Sequence, residues 1–140
     1  MKRIFLIILM MGFVLTACSG RKPAELGADA PTDNVPDIVG EYAVNGFDPT
    51  GQEYGGRLTI TAGENPGEYK LQWLVTGGIQ EGTGILEGNK LTAAWTAIAG
   101  SAETATGSAS YTVTVNGELY GTRTVDGGEG EGTETAYPNE

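Results

Sequence analysis

Arg123 and Glu134 are the two residues whose types and placement carry the most chemistry in this chain. Counting in steps of two from Leu119 and Gly121 turns Arg123 toward the inside of a strand, where an unpaired charge is costly, and Glu134 on the next and last strand is its natural partner. The pair reads in two ways: as a salt bridge closing one end of the fold, or as an anion-recognition point for a small ligand. Other chemistry is narrowly bounded. There is no histidine and only one cysteine, Cys18, so Ser-His-Asp and Cys-His catalysis and the usual zinc and copper sites are excluded. Glu41, Glu68, Glu81 and Glu87 fall at outward positions or turns, which leaves no converging carboxylates for acid–base work. Neither enzymatic activity nor a cofactor is therefore expected. Asp126, Glu129 and Glu131 share one loop, but with the spacing of neither an EF-hand nor a nonapeptide calcium repeat, and they read as a solvated turn. Three aromatics lie where a partner would meet them: Phe47 and Tyr54 around the first long loop, and Tyr120 on an outward position.

The first eighteen residues decide where this chemistry is placed. Lys2 and Arg3 precede an apolar run from Ile4 to Val14, followed by the small residues Thr16 and Ala17. That is an export signal, and the run is shorter than the roughly 20 residues of a membrane-spanning helix. Leu15-Thr16-Ala17-Cys18 resembles the lipobox of bacterial lipoproteins, in which the cysteine becomes the first residue after cleavage. The resemblance implies a diacylglycerol thioether on Cys18 and a further acyl chain such as palmitate on its amino group, an anchor in the lipid bilayer. Two or three chains hold durably where one does not. Ser19, in place of an aspartate, implies the outer membrane if the source has two membranes.

Loss of Lys2 and Arg3 with the leader takes the net charge from −10 to −12. Such a surface repels nucleic acid and anionic headgroups. Ser19 to Asp37 is rich in Pro, Ala, Gly and charge without apolar periodicity, and reads as a disordered tether.

From Ile38 to Glu140 the pattern has period two, and helix signals are missing. Ile38, Gly40, Tyr42 and Val44 share one face of a first strand; Leu58 and Ile60 point inward on a second, and Tyr69, Leu71, Trp73 and Val75 on a third. Gly82, Gly84 and Leu86 follow, then Leu91, Ala93 and Trp95, then Tyr111, Val113 and Val115, then Leu119 and Gly121, and an eighth strand from Gly132 to Tyr137. Gly88-Asn89 and Asn116-Gly117 are tight hairpin signals. Ala97 to Gly107 reads as a loop. Eight strands in order make a meander, and closure into a small up-and-down barrel removes its two raw edges. An eight-stranded barrel is wide enough to be filled by side chains or to hold one small ligand. The inward tryptophans and tyrosines, set against inward glycines, predict a filled interior in an all-β domain.

The run Gly40-x-Tyr42-x-Val44-x-Gly46-x-Asp48-Pro49-x-Gly51-x-x-Tyr54-x-Gly56-x-Leu58-x-Ile60 carries a further resemblance. So do Tyr69-x-Leu71-x-Trp73, Gly82-x-Gly84-x-Leu86-x-Gly88-Asn89-x-Leu91 and Gly132-Thr133-Glu134. Together they resemble a family of small exported bacterial proteins often labelled fibronectin-binding proteins, from which Arg123 departs by standing where an aromatic is usual. The resemblance implies a lipid-anchored module that binds an envelope or extracellular matrix protein, and this is the first functional expectation. The second, on likeness of architecture to lipocalins and avidin, is a carrier of a small apolar ligand with a cavity flanked by Trp73 and Trp95.

Overall fold

The eight alternating runs become eight strands in the computed structural model, which describes residues 25–101 and 104–139. They are β1 Gly40–Phe47, β2 Glu53–Ala62, β3 Glu68–Val75, β4 Gly78–Glu87, β5 Lys90–Gly100, β6 Thr106–Val113, β7 Leu119–Val125 and β8 Gly132–Pro138. Each pairs antiparallel with the next, and β1 pairs with β8 from Tyr42↔Pro138 to Phe47↔Thr133, so the barrel is closed. Closure leaves no strand edge unpaired, as the meander pattern predicts. Asn116-Gly117 makes its turn with Gly117 at φ +81°, a conformation that glycine adopts without a Cβ penalty. Met1 to Ala17, the leader, and Cys18 lie outside the described residues.

Period two sorts the side chains as expected. Tyr42, Val44, Leu58, Ile60, Leu71, Trp73, Leu91, Trp95, Tyr111, Val113, Leu119 and Ala136 are all buried in one core. One end of that core is aliphatic, built from Ile38, Ile60, Leu91, Val113 and Leu119. The other end is aromatic and polar, and it holds Trp73, Trp95, Arg123 and Glu134.

Three expectations are corrected. Ala97–Gly100, read as part of a loop, continues β5: Ala97 pairs with Gln80 and Ala99 with Ile79. The register slips between these pairs, so Ile98 is the extra residue of a bulge, a device that bends a strand at a barrel rim. Tertiary pairing overrides the weak strand preference of alanine and glycine here. Val115, expected inward, lies beyond the end of β6 and is exposed.

The third correction concerns the described part of the tether; Ser19 to Ala24 lie outside the described residues. Glu25 to Asp37 lies on the barrel as an ordered strap. Asp29 bridges Thr114, the Ala30 amide donates to the Val113 carbonyl at 2.9 Å, and the Val115 amide donates to the Ala28 carbonyl at 2.8 Å. Asn89 Nδ2 donates to the Ala30 carbonyl at 2.7 Å, and Ala30 is fully buried. Ile38 then plugs the same end, its carbonyl accepting the Tyr42 hydroxyl at 2.7 Å. The strap has no periodicity because only a few of its residues, Ala30 and Val35 among them, reach the core. The β4–β5 and β6–β7 turns that carry it stand at the opposite end of the barrel from the β1–β2, β3–β4, β5–β6 and β7–β8 connections.

Candidate ligand-binding site

Glu134 sits near the middle of β8, facing inward with Gly132 and Ala136, and is 1% exposed. Its neighbours in the register are both glycines, Gly46 on β1 and Gly121 on β7. Beyond each glycine stands a tyrosine: Tyr54 on β2 opposite Gly46, and Tyr111 on β6 opposite Gly121. With no side chain in between, each ring crosses a whole strand to reach the carboxylate. A Cβ on Gly46 would lie 2.4 Å from Tyr54 Cζ, and one on Gly121 would lie 2.9 Å from Tyr111 Cα and 1.8 Å from the Ser110 carbonyl oxygen. No Cβ fits at either position.

Four donors converge as a result. Oε1 accepts from Tyr111 OH at 2.5 Å and from Trp73 Nε1 at 3.0 Å; Oε2 accepts from Tyr54 OH at 2.6 Å and from Arg123 Nη1 at 2.9 Å. An ionised carboxylate offers about four lone-pair sites, and all are met. Burial, then the negative charge of Glu134, pushes both tyrosine hydroxyls well above their ordinary range. Both therefore stay protonated and keep donating.

Arg123 is 8% exposed, and its guanidinium lies between two indoles, 4.8 Å from the ring centre of Trp73 and 5.0 Å from that of Trp95. Glycines again make the room: a Cβ on Gly82 would lie 3.2 Å from Trp73, and one on Gly107 would lie 2.5 Å from Trp95. Burial opposes the arginine charge, and Glu134 with the oxygens of Tyr111 and Tyr54 outweighs it, raising the affinity of Arg123 for its proton. Nη2 donates to Gln80 Oε1 at 2.5 Å, while Nε is buried with no acceptor among the described residues. Gln80 occupies the pair where the β4–β5 register slips.

Above the guanidinium the barrel opens. A cavity of about 440 Å³ is floored by Arg123, Gln80 and Trp95 and walled by Tyr54, Val75 and Val125. Phe47 and Pro49 stand at its rim beside Asp48 and Glu53. Asp48 is held below the ordinary carboxylate range by the Thr50 hydroxyl and the Gln52 amide, so the rim is anionic. A wider trough of about 710 Å³ crosses the outside of β2–β5, but outward residues such as Thr59, Lys70, Gln72 and Glu81 line it, away from the buried polar cluster.

The structure thus brings Arg123 and Glu134 together as the strand parity predicts. Of the three aromatics expected at the surface, Phe47 is 50% exposed at the rim. Tyr54 is instead turned inward to Glu134, and Tyr120 is half-buried with its hydroxyl donating to Asp29 Oδ1 of the strap at 2.7 Å. Sequence reasoning set Tyr54 at the surface and did not single out Gln80, although parity counted back from Leu58 and from Gly82 points both inward. Asp126 accepts from the Thr106 hydroxyl at 2.7 Å, and Glu129 and Glu131 are exposed.

These features define a small closed antiparallel β-barrel with a polar cluster beneath an open mouth. No protein-family model matches the chain, and a search of curated proteins returns no match. Among solved structures it is similar to a redesigned β-barrel, with a TM-score of 0.65 at 15% identity over 74% of this chain and 92% of the other. It is also similar to the redesigned β-barrel mFAP1, solved bound to DFHBI, with a TM-score of 0.59 at 15% identity over 73% of this chain and 94% of that one. A de novo designed fluorescence-activating β-barrel gives a TM-score of 0.52 at 15% identity, covering 72% and 93%. At these identities the likeness is one of fold.

Proposed function

We propose that this protein is a non-enzymatic binding barrel of the bacterial envelope, exported and anchored through acyl chains on Cys18, that takes a small, mainly apolar ligand into the mouth above Arg123. The carrying observation is the cavity itself: about 440 Å³, apolar in its walls, with a few fixed polar groups at its floor. That is the usual build of a small-molecule site. The floor is preorganised, because Arg123 is clamped by Glu134, Gln80 and two indoles before any ligand arrives. The redesigned barrel mFAP1, similar in fold and solved bound to DFHBI, supports the reading. The leader and the lipobox resemblance support the envelope setting.

A protein-interaction role, with an envelope or extracellular matrix protein as partner, is the second reading. Phe47, half exposed at the rim, and Val125, two-fifths exposed on the wall, favour it. Titration of the full chain with the neutral probe N-phenyl-1-naphthylamine separates the two. Saturable one-to-one quenching of tryptophan emission at micromolar probe supports the small-ligand site. A linear, non-saturating response removes it and leaves the exposed rim as the route to function.

A further inference from the structure

The ligand class can be narrowed by charge. Among the described residues Arg123 is the only basic one lining the mouth, and its charge is already answered by Glu134 at 2.9 Å. An anion seated on Arg123 would have to share it with a saturated carboxylate a few ångströms away. It would also have to pass Asp48 and Glu53 at the rim of a chain with net charge −10. Like charges without intervening water repel strongly. The anion-recognition role that the sequence suggests for Arg123 is therefore disfavoured by its surroundings.

A neutral acceptor meets no such barrier. A guanidinium carries five N–H donors, whereas among the described residues Arg123 is met by Glu134 at Nη1 and Gln80 at Nη2, and its buried Nε by none. One more oxygen at the floor adds an acceptor to a group short of them. The walls, Tyr54, Val75 and Val125, and the Trp95 ring in the floor offer apolar contact. Resting on the reading of the mouth as a binding site, we propose that it selects uncharged ligands: a small apolar, aromatic body ending in one carbonyl-type acceptor seated against Arg123, in preference to carboxylates.

Three probes of one shape test this on the isotope-labelled full chain: 2-acetylnaphthalene, 2-ethylnaphthalene and 2-naphthoate. The resonances to follow are the Trp95 indole N–H and the Arg123 Nε–H, which report the mouth and not partitioning into lipid. The ketone should bind roughly tenfold tighter than the ethyl compound, the size of one hydrogen bond to a charged donor. It should exceed the carboxylate by at least as much. Equal affinity of ketone and ethyl compound overturns the acceptor role of the floor, and tightest binding by naphthoate overturns the selection against charge. In both cases the cavity stands as a binding site. If no probe moves either resonance, the reading of the mouth falls with the ligand class.

Discussion

The hydroxyl of Tyr111 lies 2.5 Å from Glu134 Oε1, although a full strand separates the two residues. Gly121 occupies that strand between them, as Gly46 does between Tyr54 and Glu134. The polar heart of the barrel is thus built from absences of side chains as much as from side chains. Each glycine is a gap that an aromatic ring crosses.

Replacing either glycine should therefore act on the cluster directly. For Gly121→Ala and Gly46→Ala the new Cβ meets backbone oxygen or a tyrosine ring well inside contact distance. The expected loss is about 1–3 kcal/mol each, the ordinary cost of overpacking, read as a lowered urea midpoint. Gly55→Ala, whose Cβ would come no nearer than 3.3 Å to another group, should lose less. Equal midpoints for all three proteins would mean that the crossings have slack.

Arg123 and Glu134 should be coupled energetically. Removing one member of a buried ion pair costs about 3–5 kcal/mol, because the survivor is left uncompensated. Arg123→Met and Glu134→Gln should each fall in or near that range. The double variant should be more stable than their sum predicts by at least about 1 kcal/mol. Strict additivity in a double-mutant cycle would show that the two charges do not depend on one another.

Alkaline pH should unfold the barrel earlier than its other groups require. Burial, followed by the charge of Asp37, raises Tyr42 to about 12, and Tyr54 and Tyr111 are also raised. In the unfolded chain these phenols ionise near 10, so the folded state holds more protons above that pH and loses stability as pH rises. Stability should hold from pH 7 to 9. Above pH 10 it should fall by about 1.4 kcal/mol per pH unit for each raised tyrosine that remains protonated in the fold. Denaturation midpoints measured across pH 7–12, alongside the ultraviolet titration of phenolate, check both slope and onset. A flat stability through pH 11 would contradict the buried, protonated state of these hydroxyls.

The strap should contribute to stability rather than act as a spacer. A chain beginning at Glu25 should match the full chain in thermal midpoint. One beginning at Ile38 should be destabilised by roughly 1–3 kcal/mol, since it gives up the bonds of Ala28, Asp29 and Ala30 and uncovers buried Thr114. Tyr120→Phe, which removes only the bond to Asp29, should show a smaller loss in the same direction. Identical midpoints for the Glu25 and Ile38 chains would return residues 25–37 to the status of a tether.

Much of the barrel is legible from alternation, because inward and outward positions differ sharply in polarity along β3, β6 and the first half of β5. The same counting pairs Arg123 with Glu134. It fails where composition hides the period. Ala97 to Gly100 offer no polar and apolar contrast, and only their pairing with Gly78–Gln80 makes them strand. Tyr54 follows a run of turn residues, so its inward parity is masked by the loop before it. The strap bonds through backbone atoms, which no side-chain pattern records. Gln80 matters only because Arg123 is there, a fact of tertiary structure alone.

The strap also sets a direction. It meets the barrel at the β4–β5 and β6–β7 turns, while the mouth opens between the connections at the far end. Only six residues lie between Cys18 and Glu25, a reach of at most about 25 Å over those seven steps when fully extended. Under the acyl anchor proposed at Cys18, the barrel would stand on its closed base with the opening facing outward. A ligand dissolved in the surrounding water would then reach Arg123 head-on, whereas a molecule climbing out of the supporting leaflet would first travel the length of the barrel wall.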